Sequence, residues 1–188
     1  AKPGGQLNLA AVPPKKGKTA WFIEDAFKCC EEDGVKFVFN KALTAEEAKK
    51  ENAYAVIIAT GSRPIKPAFP GIYDENDVLT FEDILGEKVD IRDASVAVIG
   101  SGLTGLETAE YLTQKGCKVT VIEMQDEIAP GTWMQHRNDI MPKLKKAGTV
   151  FKTNEKLCEI ESGCIVTENT KTKARSRIKC DKVVLSLG

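Results

Sequence analysis

Six residues, Gly100-Ser101-Gly102-Leu103-Thr104-Gly105, follow an apolar run and open a helical pattern. That GxGxxG spacing in that context can hold a diphosphate without any cationic side chain. Gly100 permits a tight turn, Gly102 lets an anion approach bare backbone, and Gly105 lets the helix lie close on the strand. The unpaired N–H groups of the helix start then point at the anion. An acid follows about 20 residues on, at Glu123, where a second strand pattern ends and a carboxylate can accept hydrogen bonds from ribose hydroxyls. A 2′-phosphate at that point would meet the carboxylate, at a cost of about 4 kcal/mol for each charge pair ~4 Å apart in an effective dielectric near 20. The residues therefore predict NADH in preference to NADPH, with Ser101, Leu103, Thr104 and the neighbouring Met124 as further cofactor contacts.

The elements that must position these residues read as α/β. Residues 95–99, 118–123 and 183–188 are apolar runs suited to buried strands, and 106–115 and 138–147 carry helical spacing closed by Gly116 and Gly148. Strand, helix, strand, helix in that order predicts a parallel sheet. Residues 156–161, 164–169 and 175–179 alternate and are joined by polar turns, which predicts a β-meander. Lys171, Lys173, Arg175, Arg177 and Lys179 share one face of it and read as a solvated edge. Upstream, residues 20–32 form an amphipathic helix, 35–39 and 54–59 read as strands, the second buried on both faces, Thr44 opens a capped short helix or turn, and Thr80 opens a capped short helix. Pro64, Pro67 and Pro70 make residues 61–71 a stiff connector.

Composition narrows the partners. The 188 residues carry 27 basic and 27 acidic side chains, so no net field favours nucleic acid or an anionic membrane. At 42% hydrophobic and 29% charged the chain has ordinary globular usage. No apolar run approaches the ~18 residues of a membrane span, and no leader pattern opens the chain, which predicts a cytoplasmic protein. Its six cysteines show neither CxxC nor zinc-type spacing, so no metal site is expected and the thiols read as reduced. The adjacent Cys29 and Cys30 point about 100° apart on a helix and are badly placed to bridge. The single His136 reads as an exposed helix-edge side chain.

Three further stretches carry a resemblance. Ala59-Thr60-Gly61-Ser62-Arg63-Pro64, then Pro70-Gly71, and GxGxxGxE completed by Glu107 resemble the flavoprotein reductases with two dinucleotide domains. In those proteins a nucleotide domain interrupts an FAD domain. Gly4-Gly5-Gln6-Leu7-Asn8-Leu9-Ala10 and Pro13-Pro14-Lys15-Lys16-Gly17-Lys18 are similar to the C-terminal half of the NADH:flavin oxidoreductases of Old Yellow Enzyme type, related to 2-enoate and 2,4-dienoyl-CoA reductases. The resemblance implies a partial Rossmann-like FAD domain over 1–72, an inserted NADH domain over 73–180, and a strand returning to the FAD domain over 181–188. It also implies Thr60 and Gly61 at the flavin, Glu107 as an acid near nicotinamide and flavin, and a hydride relay from NADH to FAD. In such proteins electrons pass onward through a 4Fe-4S cluster and an FMN barrel domain to an activated alkene. Those parts are expected outside these residues, so the chain by itself is expected not to reduce alkenes or hold FAD tightly. A disulfide reductase, a non-flavin dehydrogenase and a nucleotide-holding module without turnover are the competing readings.

Overall fold

The computed structural model describes residues 2–68, 70–71 and 77–187. The chain opens with α1 (Leu7–Ala10), α2 (Lys18–Glu32) and α3 (Ala45–Lys50). It continues through β1 (Val78–Thr80), α4 (Phe81–Leu85), β2 (Ser95–Ile99), α5 (Leu103–Gln114), β3 (Lys118–Ile122), α6 (Met134–Lys146) and β4 (Val150–Lys152). It ends with β5 (Glu155–Glu161), β6 (Cys164–Asn169), β7 (Arg175–Lys179) and β8 (Lys182–Leu185). A five-stranded parallel sheet has the order β1-β8-β2-β3-β4, and the meander forms a separate antiparallel sheet, β5-β6-β7.

The two-residue period of the strands makes three layers. Val96 and Val98 of β2 pack with Leu106, Ala109 and Leu112 of α5 in one core. The alternate residues Ala97 and Ile99 pack with Leu157 and Ile165 of the meander in the other. Helices cover one face of the parallel sheet and the meander covers the other, which is the Rossmann-like arrangement expected. The basic residues of the meander meet carboxylates: Lys171 lies 3.5 Å from Asp126, Arg175 3.6 Å from Glu168 and Arg177 2.9 Å from Glu161. The Arg177 guanidinium, with the Cys164 thiol, holds the Glu161 carboxyl down to about 2.

The last strand corrects an expectation. Residues 182–185 do not go back to the first segment, because β8 is an interior strand of the nucleotide sheet: Val183 lies beside Val78 on one side and Ala97 on the other. Burial of Val184 against the helices and Leu185 against the meander fixes it there. The contact with the first segment comes later, where Ile65 N–H donates to the Leu187 carbonyl at 3.1 Å. The domain boundary expected near residues 72–73 and the closing Gly188 lie outside the described residues.

Two expected strands are also corrected. Residues 35–39 are extended without a ladder, and their Phe37 and Phe39 pack with Phe27 of α2, Phe27 and Phe37 at 4.5 Å between ring centroids. Residues 54–59 are likewise no strand, and Tyr54, Ile57 and Ile58 are almost wholly exposed where burial on both faces was expected. An apolar run becomes a strand only when a neighbour takes up its N–H and C=O groups. No described residue does so for residues 54–59. α5 and α6 each begin earlier than their periodicity predicts, and α6 accommodates Pro142.

Candidate functional site

The three glycines of the turn are bare for different reasons. Gly100 has φ +100°, and a Cβ there would lie 2.4 Å from the Ser186 carbonyl oxygen. At Gly105 a Cβ would lie 2.1 Å from the Gly100 carbonyl oxygen, because α5 packs directly on the turn. The protein itself therefore forbids side chains at both positions. Gly102 differs: its φ of −55° suits any residue, and a Cβ would meet nothing within 4 Å. Only the space in front of it, a cleft of about 630 Å³, gains from its lacking a side chain. The first helical bond runs from Leu106 N–H to the Gly102 carbonyl at 3.0 Å, so the amides before it are left at the helix start as at any N-terminus.

Glu123 closes the same cleft from the end of β3. Its Oε2 accepts from the Ser101 N–H at 3.0 Å and the Ser101 hydroxyl at 2.7 Å, and its Oε1 accepts from the Gln125 N–H at 2.9 Å. The carboxylate is 6% exposed and turned toward the glycine turn. Met124 stands half exposed at the rim, and Ser186 and Leu187 form another wall. The Ser186 hydroxyl oxygen is buried in that wall without a hydrogen-bond partner among the described residues. A bare main-chain cradle, a fixed carboxylate and an unsatisfied hydroxyl fit a dinucleotide laid from Gly102 toward Glu123.

The other expected contacts are placed differently. Ser101, expected against the cofactor, is fully buried, and its hydroxyl is spent on Glu123 and on accepting the Ala129 N–H at 3.0 Å. The side chains of Leu103 and Thr104 border two smaller clefts on the other flank of α5, so these residues bring amides rather than side chains to the turn. Thr60 and Gly61 line a separate cleft of about 850 Å³ with Gly4, Gly5 and Gln6, whose amide donates to the Ser62 carbonyl at 2.9 Å. They are not brought to the dinucleotide cleft. Glu107, almost buried on α5, forms an ion pair with Lys16 beside Pro13, Pro14 and His136. One turn on, burial pushes the Glu110 carboxyl up while Lys143, 3.7 Å away, draws it down.

Sequence reasoning missed Lys16 as the partner of Glu107 and Ser101 as the bracket of Glu123. A carboxylate buried on a helix demands a cation, but nothing in the spacing says which of 27 it is. All six cysteines are free; burial pushes the Cys180 thiol up to about 11, so it carries negligible thiolate near neutral pH. Among the described residues no group of three or more His, Cys, Asp or Glu is placed to hold a metal ion, and no helix is long and apolar enough to cross a membrane.

Residues 16–188 match the model of the family described as pyridine nucleotide-disulphide oxidoreductase. The chain is 36% identical over 187 residues to the NADH oxidase of Thermoanaerobacter brockii, covering 98% of this chain and 29% of that protein. It is 32% identical over 190 residues to the bilirubin reductase of Mediterraneibacter gnavus, covering 98% and 28%. Among solved structures, 2-naphthoyl-CoA reductase in complex with 2-naphthoyl-CoA superimposes with a TM-score of 0.85 at 29% identity, over 98% of this chain and 28% of that one. The chain thus spans less than a third of the length of the curated relatives it matches.

Proposed function

The chain belongs to the pyridine nucleotide-disulphide oxidoreductase family, and from that premise we propose that it is the NADH-binding part of a flavoprotein that passes hydride from NADH to FAD. The observation that carries this reading is Gly102: nothing in the protein's own packing or φ forbids a side chain there, and it stands in front of a cleft that ends on a fixed carboxylate. When bound, NADH supplies the hydride and FAD accepts it. This chain's own residues orient the donor. Main-chain amides around Gly102 hold the diphosphate, and Glu123 takes the adenosine ribose. The Lys16–Glu107 pair keeps the 13–16 segment against α5, so that the first segment and the nucleotide domain meet in a set geometry. Thr60 and Gly61, in the cleft with Gln6, are the surface for the flavin.

In the longer polypeptide we place the FMN barrel domain and the 4Fe-4S cluster after this FAD, with an activated alkene as the final acceptor. The reductase relatives and the resemblance of residues 4–18 support that assignment. A nucleotide-holding module without turnover is the second reading, since ADP would use the same glycine turn and the same Glu123 as NADH.

Calorimetric titration tests the proposal. NADH is expected to bind at least about tenfold more tightly than NADPH, because the 2′-phosphate is set against Glu123. Glu123→Gln should narrow that ratio. Equal affinities in the unaltered protein would remove the role of Glu123, and ADP binding as tightly as NADH would favour the second reading.

A further inference from the structure

Ser101 occupies the variable position between two glycines of the turn, yet it makes three hydrogen bonds. Its N–H and its hydroxyl proton both go to Glu123 Oε2, at 3.0 and 2.7 Å. Its oxygen accepts from the Ala129 N–H at 3.0 Å. With an exposure of 0% it offers no surface to a ligand. What it holds, however, borders the cleft. Ala129 is a buried non-glycine residue at φ +60°, and the Pro130 that follows it lines the cleft. One hydroxyl thus ties the glycine turn, the carboxylate and one wall together.

The same bonds limit what the carboxylate can read. An ionised carboxylate offers about four acceptor positions, two on each oxygen. Ser101 fills both on Oε2, and the Gln125 N–H fills one on Oε1 at 2.9 Å. One acceptor position is left. We infer that Ser101 is a positioning residue that saturates half of the Glu123 carboxylate, so that the site reads a single ribose hydroxyl. This rests on the nucleotide reading above and adds to it the number of hydroxyls recognised and the residue that sets it.

The test uses ADP, 2′-deoxy-ADP and 3′-deoxy-ADP, each titrated into the protein. One deoxy analogue should bind within about twofold of ADP and the other about tenfold more weakly, the loss expected for one hydrogen bond to a charged acceptor. In Ser101→Ala that tenfold difference should shrink below about threefold, because the carboxylate loses its bracket. A purely structural Ser101 would lower the Tm and leave the ratio between analogues intact, which overturns the positioning role. Loss of affinity for both analogues, or for neither, in the unaltered protein overturns the single-hydroxyl reading without any variant that must fold. Failure of ADP itself to bind would be a failure of the nucleotide reading, and is thereby distinguishable.

Discussion

Gly102→Val is expected to lower NADH affinity by about 100-fold or more while lowering the Tm of the protein by only about 2–4 °C. The backbone at Gly102 sits at φ −55°, ψ 170°, which valine adopts without strain, and its Cβ has no neighbour within 4 Å. Valine is a poorer helix N-cap than glycine, which costs the fold about 1 kcal/mol, or roughly 2–4 °C in Tm for a chain of this length. Its methyl groups, however, would stand where the diphosphate must approach the amides, and a cofactor pushed away loses several charge-assisted hydrogen bonds together. Calorimetry and thermal melting on the same sample measure both halves of the expectation. Unaltered NADH binding by Gly102→Val would mean that the cleft holds something else.

Gly105→Ala is expected to behave in the opposite way. The added Cβ would lie 2.1 Å from the Gly100 carbonyl oxygen and 3.1 Å from its carbon, both main-chain atoms that no rotamer change can move. Helix α5 must lift off the turn, at the expense of contacts that bury Leu106 and Ala109 completely. Overpacking of this kind costs about 3 kcal/mol, which for a chain of this length lowers the Tm by roughly 6–12 °C. Melting curves of the variant check it. A melt like that of the unaltered protein would show that the helix can shift freely, and the division of the glycines into two kinds would fail. Together the two variants separate a glycine kept for the fold from one kept for a ligand.

How far the sequence discloses this molecule depends on whether a feature is local. The β2–turn–α5–β3 unit is legible because each element carries its own period and the three glycines stand between them. The meander is legible in the alternation of residues 155–179. Residues 54–59 misled because a strand is a relation between segments, and apolar content alone does not supply the partner. The burial of 182–185 on two faces was legible, but not its place between β1 and β2, since a parallel neighbour lies far away in the chain. In the site, Gly102 and Glu123 were legible from a motif with a mechanism. The use of the Ser101 hydroxyl was not legible, because the acid that takes it stands 22 residues away. Lys16 meets Glu107 across 91 residues, beyond any spacing rule.

The most direct test is a two-dimensional amide NMR titration of ¹⁵N-labelled protein with ADP. The account predicts the largest shift changes at the amides of Gly102, Leu103 and Thr104, with smaller ones at Met124 and Gln125, and none at Thr60 and Gly61. Shifts concentrated at Thr60 and Gly61, with the glycine turn silent, would contradict it.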